Sequence, residues 1–522
     1  MKFTTFLYSL IFLLLFTNSS YSNSSDSIRI NIGNEPPTLD WNLATDSTSF
    51  QIINNIMHGL TRINNNNEIV PNLAESWTID KSGKVITIKI KKNFWSDGKK
   101  LEAKHFIDSW ERLLNPKTAA DYAYFLYDIK NAKEYNLGKI SDFNKVGIRA
   151  IDLETLEITL TNKKSYFISL LSFMSTFPIR KDIIEKYGEK WIEPENIVTL
   201  GNYILSKWEN HDFILLKPKN PSRKRIILVM NSNPTSSLAM FENGKLDVVD
   251  GSGIPLLEIP YLKRKGLLRS KERFANTYIG FNVNKPPFDN KKIRKAFAIS
   301  IDKRIFEKVF QGTVRPTNNW LPENIPPMKT KLSNKNLYFF DSKNIDLAKK
   351  ILDENGYKDR SKFPNVKLLY PESGNNRIIA EILQNRWSEI LGITIDIEGL
   401  EWKIYLSTLD NNRPHMFRGG WIADYPHAHN FMNLFTCSSG NNETGWCNIQ
   451  YDNAVRLASS NYNAEESEKL YQEANKILTI EEIAIMPIFY SVQLYLKSKR
   501  INDAGFTSMG IIDFNEIVLE NN

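Results

Sequence analysis

The two cysteines of this sequence are residues whose type and spacing indicate a specific reaction, the formation of a disulfide. Cys437 and Cys447 are ten positions apart and are the only cysteines in the chain. In an exported protein such an isolated pair predicts a disulfide that closes a short loop. His427 and His429 stand nearby, but an H-x-H beside two cysteines at this spacing matches no strong zinc pattern. We therefore expect a disulfide and no metal, and interpret the two histidines as loop residues.

Established catalytic motifs are missing from the sequence. It contains no G-x-S-x-G nucleophile elbow, no H-E-x-x-H helix and no active-site cysteine signature. Pairs of Asp and Glu could serve as glycosidase acids, but nothing in the sequence singles out one pair. We expect neither an enzyme nor a cofactor. A secreted hydrolase is the alternative from a different functional class.

The N-terminal residues predict export. Lys2 precedes an apolar stretch, residues 6–16, that is too short for a stable membrane span. Ser20 and Ser22 fit the small-residue rule for signal cleavage, so residues 1–22 are expected to be a cleaved signal peptide, with an uncleaved anchor as the alternative. No cysteine lies near this point, so lipid attachment is not expected. The predicted location is outside the cytoplasm.

Length and charge limit the remaining classes. With 522 residues the chain exceeds the size of one hydrophobic core, so two or more large units are expected. The formal charge of +8 comes from 67 basic and 59 acidic residues spread along the chain. The densest basic run, residues 221–226, is short and lacks interleaved aromatic residues, so a nucleic-acid partner is not expected.

Helix-like and strand-like patterns alternate with short connections, which predicts an α/β architecture. A helix is expected after the N-cap candidates at residues 45–48, ending near Gly59. Gly356 and Gly392 mark the ends of two later helices, and Pro487 is expected to separate another helix from the last strand. The predicted strands are residues 28–32, 85–90, 366–370, 393–397 and 488–496, and the further predicted helices are 102–114, 294–310, 344–355, 377–391 and 465–479.

Short motifs are spread along almost the whole chain. They are EPPTLD at residues 35–40, LAESW at 73–77, WSDG at 95–98, FIDSWERL at 106–113, NIVTLGNY at 196–203 followed by Trp208, Asn282 with Pro287 and Phe288, RKA at 294–296, and GWIADY at 420–425. Each is weak alone, but in this order and spacing they resemble the periplasmic oligopeptide-binding proteins of the extracytoplasmic solute-binding family 5, which also contains dipeptide and nickel binders.

The resemblance implies a two-lobe periplasmic-binding-protein fold of the α/β class, with a hinge, an extra subdomain on the first lobe and ligand held between the lobes. Applied to this chain, lobe I combines residues 23–60, 195–274 and 488–522. The extra subdomain is residues 61–194, and lobe II is residues 275–487.

The resemblance also implies a function: a monomeric binding protein that captures short oligopeptides and delivers them to the permease and ATPase subunits of an ABC importer. The same fold could instead hold a dipeptide, a cell-wall peptide, a metal chelate or another small solute. The sequence leaves these alternatives open, because the walls of a pocket are set by side chains that only coordinates can place.

The family uses the Asp of its W-x-x-D-Y segment to bind the ammonium group of a peptide, and Asp424 holds this position. On spacing alone Asp424 reads as an exposed turn carboxylate. Trp421 and Tyr425 would frame it, and Gly420 with Gly419 would let backbone amides approach the ligand. In the family pattern, Arg418 matches a position that reaches the ligand carboxylate, a group that a guanidinium can bind with two hydrogen bonds.

Further family positions fall on aromatic residues and on one departure. Tyr122, Tyr278 and Trp402 match aromatic residues that line the family cleft, with a role in the core as the alternative for each. Asn376 stands where the family often has His, which puts preference for longer peptides in doubt. The enteric oligopeptide binders place their disulfide where this chain has Ala275 and Ile422, so Cys437 and Cys447 would form a different, more local bridge.

Overall fold

The structure is a computed structural model that describes residues 26–329, 342–372 and 374–520. The predicted signal peptide, residues 1–22, lies outside the described residues. No helix within the described ranges combines the length and apolar composition needed to cross a membrane.

Strands form the framework of the molecule, and helices pack around them. The strands are β1 (Ser27–Asn31), β2 (Thr61–Ile63), β3 (Ile69–Pro71), β4 (Ala74–Ile79), β5 (Val85–Ile90), β6 (Ile148–Asp152), β7 (Thr155–Thr159), β8 (Tyr203–Glu209), β9 (Phe213–Pro218), β10 (Arg225–Val229), β11 (Val248–Asp250), β12 (Leu268–Phe281), β13 (Val314–Pro316), β14 (Lys367–Pro371), β15 (Asp396–Leu400), β16 (Met416–Ile422), β17 (Ile485–Lys497), β18 (Ile501–Asp503) and β19 (Val518–Leu519). The helices are α1 (Ser47–Ile56), α2 (Ala103–Leu114), α3 (Ala132–Asn136), α4 (Phe167–Leu170), α5 (Lys181–Tyr187), α6 (Pro234–Glu242), α7 (Ile259–Arg264), α8 (Lys291–Ile299), α9 (Arg304–Val309), α10 (Ser342–Leu352), α11 (Asn376–Leu391), α12 (Trp402–Asn411), α13 (Ala428–Met432), α14 (Ile449–Ser459) and α15 (Ala464–Lys476).

A mixed sheet runs through the molecule in the order β15-β14-β16-β12-β17-β11-β1-β10-β9-β8, with β13 added on β17. Pairing is parallel around β1 and β14 and antiparallel around the central β12 and β17. A separate antiparallel sheet, β4-β5-β7-β6, lies within the region predicted as the extra subdomain.

The two central strands connect both halves of the large sheet. The first part of β12 pairs with the last part of β17, from Leu268↔Leu496 to Glu272↔Val492. Pairing resumes only at Asn276↔Tyr490, after a register shift that leaves the residues between without β17 partners. There the backbone N–H of Phe274 donates to the carbonyl of Ser508 at 2.8 Å. The C-terminal segment therefore fills the place where the central pair separates.

Separate hydrophobic cores lie on the two sides of this irregularity. One combines side chains of the predicted extra subdomain with those of strands β1, β8, β9 and β10 of the large sheet and of the C-terminal segment, residues 501–517. Two others are built mainly from residues 274–489. Two sequence motifs meet in the first of these regions, since Arg112 forms a two-pronged ion pair with Asp40, at 2.6 and 2.9 Å.

Local signals placed several elements correctly. Strand β5 has the predicted bounds, Val85–Ile90. Asp46 caps α1 by accepting from the backbone N–H groups of Thr48 and Ser49. Helix α11 ends at Gly392, whose φ of 70° is the left-handed conformation that a C-terminal glycine supplies.

Other sequence expectations were wrong in detail. The helix predicted over residues 294–310 is two helices, α8 and α9, because the chain breaks at Ser300 and Asp302 accepts from the N–H of Arg304 to start the second. Helix α1 ends at Ile56, before Gly59, whose absent Cβ makes room for the ring of Phe177.

The last long strand also differs from the prediction. Pro487 lies inside β17 instead of preceding it. Its position beside the register shift between Thr277 and Tyr278 explains this, because a residue without an N–H donor is tolerated at such an irregularity. The strand predicted at residues 393–397 is β15, three residues later, and the helix predicted over 465–479 is α15 followed by a turn of π-helix.

Candidate functional site

A cleft opens where β12 and β17 lose their regular pairing. It consists of two adjoining cavities of about 560 Å³ and about 530 Å³. We call the first the Asp424 cavity and the second the Asn376 cavity, each after a residue that lines only that one. Six residues line both cavities: Ser47, Arg273, Thr277, Arg418, Ser491 and Gly510. They come from α1, β12, β16, β17 and the C-terminal segment, so distant parts of the chain converge on one cleft.

Asp424 follows the end of β16 and is partly buried in the wall of its cavity. Its Oδ1 accepts from the hydroxyl of Tyr122 at 3.3 Å, and its Oδ2 accepts from Nδ2 of Asn430 at 3.3 Å. Burial raises the pKa of Asp424 to about 7, although both hydrogen bonds act to lower it. Among the described residues no cation lies within ion-pair distance of this carboxylate, which is thus poised to receive a positive charge.

Asn430 on α13 fixes this corner of the cleft, and sequence reasoning missed it. Its Oδ1 accepts from the indole N–H of Trp421 at 2.8 Å and from the backbone N–H of Asp424 at 3.1 Å. One amide side chain therefore positions both members of the predicted segment. An asparagine six residues after the aspartate gave no signal, because its role depends on the fold of the intervening loop.

Aromatic rings surround the Asp424 carboxylate. Tyr122 packs against Phe173 and Phe50, with ring centroids 4.8 and 6.2 Å apart, and all three line the cavity. Trp402, the first residue of α12, also lines it and leaves 54% of its surface exposed, with Tyr405 stacked beneath. Aromatic faces favour an organic cation and cover apolar side chains without selecting among them.

Arg418 on β16 lines both cavities. Its Nη2 donates to the hydroxyl of Thr277 at 3.3 Å, and its buried Nε has no hydrogen-bond partner. Burial lowers the pKa of the guanidinium. Within the part of the chain that is described, no carboxylate lies within ion-pair distance. A buried donor without an acceptor is costly, so this group is prepared for an anionic ligand.

Arg273 is a second guanidinium that sequence reasoning did not single out. It stands on β12 between Glu272 and Asn276, where β17 pairing is lost, and lines both cavities. Its Nε is buried without a partner, and burial lowers its pKa. Its surrounding sequence, residues 268–272 (LRSKE), reads as a polar strand. Arg273 reaches the cleft only because the pairing of β12 with β17 is irregular at this point.

The glycines of β16 serve different purposes. A Cβ on Gly419 would lie 2.2 Å from the ring of Tyr278, so packing in the core requires a glycine there. Gly420 lines the Asp424 cavity, where a Cβ would approach the carbonyl of Asn276 at 3.2 Å. Of these two glycines, only Gly420 lines the cavity, so a close approach of the backbone to a ligand is expected at Gly420 and not at Gly419.

Not every predicted residue reaches the cleft. Tyr278 is buried against Trp320 and Phe435 and lines neither cavity, which is the alternative core role. Tyr425 is buried behind Asp424, with its hydroxyl 2.8 Å from Nδ1 of His429, and lines neither cavity. In both cases the adjoining residue faces the ligand space.

Asn376 lines the second cavity at the start of α11. Its Nδ2 donates to the carbonyl of Pro371 at 3.1 Å, which ties the first turn of the helix to the end of β14. Asn376 is therefore a neutral residue held in a fixed position in the wall of this cavity.

Cysteines and histidines beside the site are structural. Cys437 and Cys447 form a disulfide, with Cα atoms 4.6 Å apart. His427 and His429 are not loop residues: His427 caps α13 and His429 belongs to it. Burial lowers the pKa of His427 to about 3 and that of His429 well below its usual value, which keeps both rings neutral. The described residues contain no cluster of side chains suited to a metal.

Comparison with known proteins gives consistent matches. The sequence profile of the bacterial extracellular solute-binding proteins, family 5 (middle part), matches residues 68–443. The oligopeptide-binding protein OppA of Bacillus subtilis is 30% identical, over 94% of this chain and 92% of that protein. The probable deoxycholate-binding periplasmic protein YgiS of Escherichia coli is 28% identical, over 88% and 87%. The crystal structure of Haemophilus influenzae OppA in complex with the peptide RPPGFSPFR superposes with a TM-score of 0.77 and 27% identity, over 95% of this chain and 99% of that chain.

Proposed function

This chain belongs to the bacterial extracellular solute-binding proteins of family 5, and we propose that it captures short oligopeptides in its cleft for an ABC importer. Its α/β binding-protein fold agrees with the class expected from the sequence. The bound peptide is then delivered to the permease and ATPase subunits of the importer. This role asks for selective binding and release and for no chemical step.

The observation that supports this proposal is a pair of opposite charges, each without an ionic partner among the described residues, at separate points of one cleft. Asp424 and Arg418 are six residues apart on β16 and its extension, a backbone distance of about 20 Å or less at ~3.3 Å per residue. A short peptide is a zwitterion whose charged ends are separated by its extended backbone, about 10 Å for a tripeptide at ~3.3 Å per residue, which fits within this distance. Asp424 binds its ammonium group and Arg418 its carboxylate.

Other solutes fit this pattern less well. A bile acid, the ligand in the name of one relative, carries a carboxylate and no ammonium group. Its carboxylate would pair with a guanidinium but leave Asp424 without a counter-charge. The carboxyl group of Asp424 would then have to stay protonated, because a buried carboxylate without a counter-charge is costly. An anionic metal chelate would meet the same difficulty. A dipeptide or a cell-wall peptide retains the ammonium group and stays a variant of the same proposal.

We propose the lobes that the sequence suggested, with β12 and β17 as the hinge. Lobe I comprises residues 23–60, 195–274 and the C-terminal part, the subdomain residues 61–194, and lobe II residues 275–487. Ile488 and Phe489 pack with the second lobe, which favours a crossing in β17 just after them. Export to the periplasm and a monomeric state belong to the same proposal. Small-angle scattering should show a smaller radius of gyration with peptide, and an unchanged profile at saturation would contradict closure.

Calorimetric titration tests the ligand class directly. A free tripeptide, its N-acetylated form and deoxycholate are titrated separately into the mature protein. Peptide capture predicts binding of the free tripeptide and a loss of about 100-fold or more on acetylation, because the acetylated end leaves Asp424 unpaired. Binding of deoxycholate alone, or equal affinity for the free and acetylated peptides, would contradict the proposal.

A further inference from the structure

Arg273 occupies a prepared position in the cleft. Gly510, with a φ of 80°, lies directly against its guanidinium, and a Cβ there would come within 2.7 to 2.9 Å of Nε, Cζ and Nη2. The glycine therefore makes space for this side chain. The guanidinium nevertheless has a buried Nε without an acceptor and, in the described ranges, no carboxylate within ion-pair distance.

Arg273 and Arg418 approach the cleft from different points. Arg418 pairs with Ile279 on β12, six residues beyond Arg273, so the two backbones are about 20 Å apart at ~3.3 Å per residue. Both side chains nevertheless line both cavities. Two guanidiniums that enter a long cleft from separate origins are suited to two anionic groups of one ligand, more than to a single carboxylate.

The balance of charges in the cleft also favours a ligand with two anionic groups. The Asp424 cavity is lined by two guanidiniums and one carboxylate. Asp250 lines the other cavity and its charge acts on Arg273, opposing the effect of burial on the pKa of that group. Asp250 forms no direct ion pair with Arg273, however, and its Oδ1 accepts from the backbone N–H groups of Ser252 and Gly253 and from the hydroxyl of Ser252. A peptide with one ammonium and one carboxylate would leave one guanidinium unpaired in a partly desolvated site, which is unfavourable.

We propose that Arg273 binds a second carboxylate of the ligand, so that the preferred peptides are acidic; this inference rests on the proposed function. The hydroxyls of Ser47 and Ser491, which line both cavities beside it, are further donors to such a group. The ligand class is a short peptide with a free N-terminus and one acidic residue. Ammonium, C-terminal carboxylate and side-chain carboxylate then have Asp424, Arg418 and Arg273 as their partners.

Matched peptides test this assignment. Ala-Glu-Ala is compared with Ala-Gln-Ala, and Ala-Ala-Glu with Ala-Ala-Gln, by calorimetric titration. We expect the glutamate member of at least one pair to bind about tenfold or more tightly, the effect of a charged hydrogen bond in a sheltered site. Arg273→Gln should reduce that ratio to about one, while Arg273→Lys, which keeps the charge, should retain part of it. The control Arg269→Gln removes an exposed guanidinium from the same strand and should leave the ratio unchanged.

The outcomes separate this inference from the proposed function. Equal affinity within both pairs for the wild type, or a preference that survives in Arg273→Gln, would overturn the acidic subsite while leaving peptide capture intact. If Arg273→Gln weakened the Glu and Gln peptides equally, Arg273 would serve the C-terminal carboxylate, and the inference would also be wrong. Failure of the wild type to bind any of the four peptides would contradict the proposed function itself.

Discussion

Asn430 holds Asp424 from two sides: it accepts a hydrogen bond from the backbone N–H of Asp424 at 3.1 Å and donates one to its carboxylate at 3.3 Å. The amide is neutral, so it orients the carboxylate without cancelling its charge. A lysine or arginine in the same place would occupy the position that we assign to the ligand ammonium. Asn430 therefore orients the carboxylate, and its counter-charge is left for the ligand to supply.

Replacement of Asn430 should change how peptide binding depends on pH. Asn430→Ala removes a donor that lowers the pKa of Asp424, so that pKa should rise further above its usual range. Affinity near pH 7 should fall about tenfold, and the pH at which binding reaches its maximum should increase. Titrations from pH 5 to 8 measure both effects. Asn433→Ala, an exposed neighbour, is the control, and an equal loss at every pH would show that Asn430 acts on packing alone.

Peptide binding itself should be coupled to protons. With a pKa of about 7, Asp424 is mostly protonated below neutral pH and must lose its proton to pair with an ammonium group. Affinity should therefore rise up to about tenfold per pH unit between pH 5 and 7, and fall again above about pH 8 as the peptide α-amino group deprotonates. Calorimetry at pH 7 in two buffers of different ionisation enthalpy should show net proton release. A flat profile through this range would contradict the role of Asp424.

The same carboxylate should lower the stability of the ligand-free protein. The pKa of Asp424 is about 7 when folded and 3.8 in its unperturbed state, so the folded state is favoured below pH 4 and loses this contribution as pH rises to 7. Asp424→Asn should therefore raise the free energy of unfolding at pH 8, by about 1 to 2 kcal/mol after allowance for partial exposure. Below pH 4 the gain should vanish.

Denaturant titrations at the two pH values measure the stability change. Glu398→Gln, which removes an exposed carboxylate paired with Lys367, is the control and should change stability little. A variant Asp424→Asn that is less stable than the wild type at pH 8 would contradict the assigned burial.

The local disulfide should contribute modestly to the stability of the folded protein. Cys437 and Cys447 close a loop of ten residues, which corresponds to about 2 to 3 kcal/mol at most in the chain-entropy account. Replacing both by Ser should lower the melting temperature by a few degrees and leave peptide affinity within about twofold, since neither cysteine lines the cleft. A large loss of affinity at unchanged fold would contradict this separation.

Sequence patterns predicted what local chemistry determines. Alternation placed β5, and Gly392 marked the end of α11. The motif placed Asp424 in the cleft wall, but it could not show that Tyr278 turns into the core, because Trp320 and Phe435 come from segments far along the chain. Arg273 was not predictable for the same reason: its access to the cleft depends on a register shift between two strands more than 200 residues apart in sequence.

A double-mutant cycle tests the central claim, that Asp424 binds the ammonium group of a peptide, most directly. A free tripeptide and its N-acetylated form are titrated into the wild type and Asp424→Asn at pH 7.5. We predict that the substitution weakens the free peptide by about 2 to 4 kcal/mol, because it leaves a sheltered cation unpaired, and does not weaken the acetylated peptide, which no longer meets an unpaired carboxylate. If the two losses are independent, so that the substitution weakens both peptides equally, Asp424 is not the ammonium partner.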